Sequence, residues 1–154
     1  GSTYFYPDSE AAQKAIQCQV ELQKRTGGNA NIGRELYPLL KAAGFSSVNV
    51  SPRMVYVDSS KPGLVEGFTK NTFTAMIEGV RESSIAAGLI GETTFDEGIR
   101  ALYRTAEQDG VFCYTFFKAI GTVPGSKLNE KTTTATPYPQ ATCPGLSMAC
   151  AFEF

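Results

Sequence analysis

Histidine and tryptophan are absent from the 154 residues of this chain, and cysteine occurs only four times. Without histidine, the chain by itself offers no Ser-His-Asp or Cys-His relay, no histidine general base and no H-E-x-x-H zinc helix. No C-x-x-C pair occurs among Cys18, Cys113, Cys143 and Cys150, so neither a zinc cluster nor a disulfide framework is predicted. We therefore expect reduced thiols in a cytoplasmic protein, no metal, and we assign no catalytic residue.

Charge and apolar runs exclude two further classes of partner. The chain carries 14 basic and 15 acidic side chains, and the basic residues are scattered singly, so we expect no attraction to nucleic acid. No apolar run approaches the roughly 20 residues of a membrane span, so no membrane partner is expected. A hydrophobic content of 42% is that of an ordinary globular domain, and a chain of this length can bury a core without disulfides.

Helical spacing of apolar residues recurs through the first hundred residues. Asp8 or Ser9 is a candidate N-cap for the first helix, and Gly44 and Gly88 stand where left-handed C-caps are expected. The run Thr94-Phe95-Asp96-Glu97 has the spacing of a capping box and predicts the start of the last helix. The helices predicted in this way span residues 8–24, 32–43, 62–87 and 94–106.

Two segments have the patterns of strands, which makes the fold class α/β. Val48–Val57 alternates by two and contains Pro52, which is tolerated chiefly at an edge or a bulge, so this strand is expected at a sheet margin and bent at the proline. Val111–Ile120 is apolar on both faces, as an interior strand is. Residues 1–123 thus form the predicted domain. Residues 124–154 carry four of the eight prolines and a run of threonines, which predicts an extended or disordered tail.

The stretch Gly27–Phe45 reads G-G-N-A-N-I-G-R-E-L-Y-P-L-L-K-A-A-G-F. It strongly resembles the C-terminal half of class I S-adenosylmethionine-dependent methyltransferases of the ubiquinone/menaquinone-biosynthesis type, in which a G-G-x-x-x-I-G-R-x-L helix ends in A-G-F and leads into the sixth strand. Tyr4–Asp8 is similar to the segment after the fifth strand of that family, and Asp109–Gly121 to the seventh strand. The matching segments run in the family's order from about residue 3 to residue 123.

The resemblance implies a partial Rossmann-like methyltransferase sheet, made of the distal strands and helices and completed by another chain. The family binds S-adenosylmethionine at a glycine-rich turn after its first strand, and this half has no counterpart in the sequence. The cofactor is therefore expected only where a partner supplies that half. In complete members the seventh strand lies antiparallel between the fifth and the sixth. An exposed edge of strand 111–120 is thus expected to pair with a second copy or with a Rossmann-bearing partner chain.

The implied activity is methyl transfer to a small molecule, in which a substrate nucleophile attacks the sulfonium methyl group. This chain would supply the substrate-facing portion and would not methylate by itself, because the cofactor-binding half acts in trans. Two other hypotheses use the same scaffold. One is a degenerate methyltransferase-derived module that binds a partner or an apolar metabolite, and the other is a cofactor-independent cyclase or pericyclase.

Seven residues are candidates for contact with the substrate: Tyr4, Tyr6, Asn31, Arg34, Phe68, Thr72 and Met76. The first four match family segments near the mouth of the active site, where an arginine or tyrosine can orient a substrate. The last three match the helix that contributes to the substrate lid between strands six and seven. Each has a structural alternative. The arginine can pair with a nearby carboxylate, the tyrosines can pack, and aromatic or methionine side chains at helical spacing are often core.

Overall fold

The structure is a computed structural model that describes residues 2–124, and the predicted tail over 125–154 lies outside the described residues. The fold is mixed α/β, as predicted, with one three-stranded antiparallel sheet. In chain order the elements are β1 (Ser2–Tyr6), α1 (Glu10–Arg25), a 3₁₀ turn (Ile32–Glu35), α2 (Leu36–Ala42), β2 (Ser46–Val57), α3 (Pro62–Leu64), a π-helical segment (Val65–Thr74), α4 (Ala75–Glu78), α5 (Arg81–Ala86), α6 (Glu92–Arg104) and β3 (Val111–Thr122).

Strand β3 lies in the middle of the sheet, between β1 and β2, and is antiparallel to both. The interior position predicted for residues 111–120 is therefore confirmed, and so is the marginal position of β2. Pro52 pairs with Phe117 in regular register, and the irregularity of β2 falls instead between Ser46 and Asn49. An edge strand accommodates the proline because every second backbone N–H points away from the ladder.

The prediction of an unpaired edge along strand 111–120 is wrong for its first part. β1 pairs with Val111–Thr115 on the side that was expected to be empty. The opening segment, expected to follow a strand, is itself a strand, because aromatic residues with alternating exposure are well suited to a half-buried sheet edge. Beyond Thr115, no described strand pairs with β3 on this side, so the edge is open over Phe116–Ile120.

The helix ends follow the local signals with one exception. The Ser9 hydroxyl caps α1 by accepting a hydrogen bond from the Ala12 N–H at 3.2 Å, and Gly44 and Gly88 have the positive φ of left-handed caps, +87° and +66°. The predicted capping box at Thr94 is wrong. Since Gly91 is the last extended residue and the backbone is helical from Glu92, Thr94 already lies inside the first turn of α6.

The single helix predicted over 62–87 is also wrong, because the chain forms α3, the π-helical segment, α4 and α5 in succession. Phe68 and Phe73 explain the wide turn. They are five residues apart, which would place them about 140° apart around an α-helix, yet both rings pack against Phe112 and Tyr114 of β3. A turn that closes on the fifth residue brings both rings to the same side.

Helices α1, α4 and α6 and the π-helical segment cover one face of the sheet and form the core there. Phe112 is fully buried, with the Phe73 ring centroid 4.7 Å from its own. Helices α1 and α6 approach closely at Gly98, where a Cβ would lie 2.5 Å from the Ala11 carbonyl oxygen, so only glycine fits. The core residues are Ala12, Ala15, Val57, Phe73, Ile77, Phe95, Ile99, Leu102 and Phe112. None of the helices between residues 2 and 124 has the length and apolar character needed to cross a bilayer.

Candidate functional site

The second face of the sheet is open along the first part of β3. Successive side chains of a strand point to opposite faces, and those of Phe112, Tyr114 and Phe116 contact the Phe68 ring of the helical layer. Val111 and Cys113 therefore point to the other side, where they line a surface groove. A candidate site for a ligand is found on this open face.

We term this groove the tyrosine slot, and six of the residues that line it are Tyr4, Tyr6, Met54, Tyr56, Val111 and Cys113. Its volume is about 350 Å³. The strand register places a small side chain between two large ones, because Cys113 of the central strand lies directly opposite Tyr4 of β1 and Tyr56 of β2. We call the tyrosines the walls of the slot and the cysteine its floor. The two walls stand two strand spacings apart, which is about 10 Å.

Exposure differs sharply between the walls and the floor of the tyrosine slot. Tyr4 and Met54 are each 65% exposed, and Tyr56 is 46% exposed. Cys113 retains only 5% of its accessible surface, since its short side chain lies between two tyrosines. No lining residue is charged. The slot is thus an open, uncharged aromatic groove with a buried cysteine at its base.

A turn containing Asn31 and Arg34 lies on the same face, beyond the open end of the floor. Phe117 points to this face, and a Cβ on Gly33 would lie 2.5 Å from its ring, so the turn rests directly on Phe117. Asn29 holds the turn in place. Its side-chain oxygen accepts a hydrogen bond from the Asn31 N–H, and its amide donates to Glu35, both at 2.9 Å. The G-G-N-A-N-I-G run therefore has a structural role, which is to let this turn approach the sheet.

The seven predicted site residues are divided between the two sides of the sheet. Tyr4 and Tyr6 line the tyrosine slot, and Asn31 and Arg34 belong to the turn on the same face. Phe68 lies on the opposite face, where its ring centroid is 6.2 Å from those of three β3 aromatics, as the core alternative describes. The other two, Thr72 and Met76, are exposed residues of the helical layer that do not line the slot.

The polar contacts of Thr72 and Arg34 also differ. The Thr72 hydroxyl donates to the Gly67 carbonyl at 2.7 Å and so serves its own helix. Arg34 forms no ion pair within residues 2–124, so the carboxylate partner considered for it is not found in the described part of the chain. Arg34 is an exposed cation beside the open face.

Four residues of the tyrosine slot were missed by sequence reasoning: Met54, Tyr56, Val111 and Cys113. The alternation of β2 and β3 already places each pair on one face of its strand. What the pattern lacks is the pairing register, which sets Cys113 between two tyrosines, and the knowledge of which face the helices leave open. A small residue facing large aromatics is a signal only after the strands are paired.

Two clusters of charged groups join neighbouring elements of the fold. Arg81 donates to Asp96 at 2.7 Å and to Glu92 at 2.6 Å, and its guanidinium lowers the pKa of the Asp96 carboxyl. Arg104 forms two 2.7 Å bonds with Asp109 and lowers the pKa of that carboxyl in the same way. Between residues 2 and 124, no three metal-ligating side chains are grouped. The slot can therefore bind and orient a molecule, but its lining offers no carboxylate or amine for proton transfer.

The described residues do not fit S-adenosylmethionine. Such a site needs glycines directly after a parallel strand, so that backbone donors can approach the ligand. Here β1 leads through Pro7, Asp8 and Ser9 into α1 without a glycine, and every strand pair is antiparallel. Gly28 follows a helix and its N–H bonds back to the Gln23 carbonyl at 2.8 Å. We derive no step of the chemistry through this cofactor.

Comparison with known proteins does not assign the chain to a family: no protein-family model matches it, and no significant match was found among curated proteins.

Proposed function

We propose that this chain is the substrate-facing, distal part of an S-adenosylmethionine-dependent small-molecule methyltransferase whose cofactor is bound by a glycine-rich half on another chain. The observation that supports this most is the strand order. β3 lies antiparallel between β1 and β2, which run in the same direction as each other. This is the arrangement that the resemblance gives to the seventh, fifth and sixth strands of the family.

The partner half would extend the sheet at the side of β1. β1 has five residues, whereas β3 has twelve, so part of the β3 edge and the outer edge of β1 both carry backbone donors and acceptors without a described partner strand. Such edges favour pairing with another strand. We assign the partner, either a Rossmann-bearing chain or a second copy, to these edges rather than to the whole length of 111–120.

This chain would contribute the surface that holds the methyl acceptor. Tyr4 and Tyr6 stand on β1, the strand nearest the missing half, and the turn with Asn31 and Arg34 lies on the same face. The contribution would be alignment of the acceptor, since placing two reactants correctly accounts for much of the barrier to such a displacement. A cytoplasmic location is part of the same proposal, because Cys18 and Cys113 are free and buried.

Calorimetry with S-adenosylmethionine tests the division between the two halves. We expect no heat from the folded chain alone. We expect binding by the complex that forms when the chain is co-expressed with the product of the reading frame upstream of its own coding sequence. Binding by the isolated chain would overturn the assignment of the cofactor site to another chain. A stable complex that does not bind the cofactor would overturn the methyltransferase assignment.

Size-exclusion chromatography with light scattering tests the partner separately. The proposal expects a dimer or a complex at micromolar concentration. A variant with Thr3→Pro, which removes one backbone donor from the short edge strand, should weaken that association more than Thr93→Pro on α6 does, once circular dichroism shows that both variants are folded. A monomer that stays monomeric beside the co-expressed half would contradict the proposed edges.

A second candidate function is a module that binds an apolar metabolite without methyl transfer. The uncharged lining of the tyrosine slot favours it, since none of the lining residues is a carboxylate, a histidine or an amine. The same calorimetry distinguishes the two functions. A binding module would bind its ligand in the slot, and its complex with any partner would give no heat with S-adenosylmethionine.

A further inference from the structure

We infer that the open edge of β3 over Phe116–Ile120 binds an extended strand of another protein, with an acidic side chain opposite Lys118 and apolar side chains on either side of it. We term this stretch the basic edge. The added strand runs antiparallel to β3, as β1 does. Only the assignment of this strand to the cofactor-binding half rests on the proposed function.

The backbone of the basic edge can accept a further strand. β1 pairs with β3 no further than Thr115, whereas β2 pairs with β3 as far as Thr122. On the side away from β2, every second residue of the basic edge directs its N–H and C=O outward, and no strand within residues 2–124 receives them. The five residues extend over about 17 Å, which is enough for a short strand to bind through main-chain hydrogen bonds.

Two cations lie on one face of the sheet at the basic edge. Lys118 is exposed and lies opposite Ser51 of β2, and Arg53, also exposed, lies opposite Phe116, so the two cations are diagonal neighbours. Neither forms an ion pair within residues 2–124. Because the serine on β2 cannot neutralise the lysine, a strand on the other side of β3 is the one placed to supply a carboxylate.

Apolar side chains flank the lysine on the same face. Phe116 precedes it by two residues and Ile120 follows it by two, and side chains two residues apart along a strand share a face. Ile120 keeps 59% of its surface exposed, so the helical layer leaves this end of β3 uncovered. A strand with an acidic residue opposite Lys118 and apolar residues opposite Phe116 and Ile120 would therefore match the basic edge at three positions.

A second copy of the chain does not offer this pattern through its own basic edge. β3 contains no aspartate or glutamate, so two copies that met at this edge could not neutralise Lys118. The charge therefore favours a strand from a different polypeptide, which under the proposed function is the cofactor-binding half.

The probe for the test is the acetylated and amidated peptide T-T-V-T-E-T-V. When it pairs antiparallel with residues 116–122, its glutamate lies opposite Lys118 and its two valines lie opposite Ile120 and Phe116. Two counterparts carry glutamine or lysine in place of the glutamate. The isotope-labelled chain is titrated with each peptide, and its backbone amide signals are followed by NMR spectroscopy.

We expect the amide signals of Phe116–Ile120 to shift. The glutamate peptide should bind about threefold more tightly than the glutamine peptide and about tenfold more tightly than the lysine peptide, since opposite charges across a strand pair attract and like charges repel. Equal affinities for the three peptides, or no shift at the basic edge, would overturn the inference.

Charge reversal on the chain locates the contact. Lys118→Glu should abolish the preference for the glutamate peptide. Lys24→Glu is the matched control, since it reverses an exposed lysine at the end of α1, and it should leave the preference unchanged. Circular dichroism shows whether both variants are folded. An unchanged preference in a folded Lys118→Glu variant would contradict the contact.

Methylated peptides cover the case in which Lys118→Glu does not fold. Methylation of alternate backbone nitrogens removes the donors from one edge of the peptide strand. Of two glutamate peptides methylated at opposite sets of positions, one should bind like the parent and the other about tenfold more weakly. Equal binding by both would rule out the addition of a strand. Since neither S-adenosylmethionine nor the partner half is present, each outcome is independent of the proposed methyl transfer.

Discussion

The two faces of the sheet at β3 differ in how far their aromatic side chains are buried. Phe112, on the helical side, is fully buried, and its ring lies 4.7 Å from that of Phe73. Tyr4, beside the next residue of the strand on the opposite face, keeps 65% of its surface exposed. The apolar area buried on one face supplies the stability, so the other face can keep large aromatic side chains in solvent.

Replacing Phe112 with alanine should give the largest difference between the faces. The variant leaves a cavity beneath Phe68 and Phe73, and we expect the free energy of unfolding to fall by about 3–5 kcal/mol. Tyr4→Ala, the matched change on the open face, should alter it by about 0.5 kcal/mol or less. Urea denaturation followed by circular dichroism measures both. Similar losses at the two positions would contradict the contrast between the faces.

Gly98→Ala tests how tightly the helical layer of the covered face is packed. The added Cβ would meet the backbone of α1 at the Ala11 carbonyl, so we expect a loss of about 1–3 kcal/mol from overpacking. Gly67→Ala is the control, because no heavy atom lies within 4 Å of its added Cβ. That variant should be neutral or more stable by up to about 1 kcal/mol. Thermal unfolding of both would settle whether the α1–α6 approach requires glycine.

The buried Thr74 hydroxyl of the covered face gives a smaller effect with the opposite sign. Thr74 is fully buried and its hydroxyl has no hydrogen-bond partner among the described residues. Thr74→Val keeps the shape and removes an unsatisfied group, so stability should rise by about 1 kcal/mol. Ser84→Ala, which removes a hydroxyl bonded to the Val80 carbonyl at 2.7 Å, should lower it by a similar amount. A loss in the Thr74→Val variant would mean that the hydroxyl is satisfied.

The smallest effect is expected from the ion pair that joins α5 to α6. The Arg81 guanidinium holds the pKa of Asp96 below its usual value of 3.8, so the stabilisation is present above pH 3.8 and is lost as the pH falls through the lower folded pKa. Asp96→Asn should flatten the dependence of stability on pH in that acidic range. Since the Asp96 side chain is 43% exposed, roughly 1 M salt should reduce the difference. An unchanged acid profile would show that the pair does not contribute.

The sequence predicted those features of the fold that depend on residues close to one another in the chain. The helix caps lie where expected, at Ser9, Gly44 and Gly88. The serine hydroxyl accepts a hydrogen bond from a nearby backbone N–H, and the two glycines permit a positive φ, so each cap depends only on residues close in sequence. Val111–Ile120 was recognisable as an interior strand from its run of apolar residues, although helices cover only one of its faces. The fold class and the marginal place of β2 followed from the same patterns.

The remaining features depend on contacts between distant parts of the chain. β1 is a strand only because it pairs with residues more than a hundred positions later, and the π-helical segment exists because Phe68 and Phe73 both reach Phe112. At Thr94 a local motif pointed to the wrong start, since Gly91 had already ended the preceding turn. Tyr4 and Tyr6 were identified through a resemblance, whereas Cys113 gains its place in the slot only from the register.

Lys118 is the single charged side chain in β3, and it stands where the strand edge is open beyond Thr115. Two copies that joined through these edges would bring their Lys118 side chains towards each other, which favours the Rossmann-bearing partner over a second copy at this edge. Replacement of Lys118 by valine would leave the open edge over Phe116–Ile120 without a charge, so self-association through this edge should become more favourable.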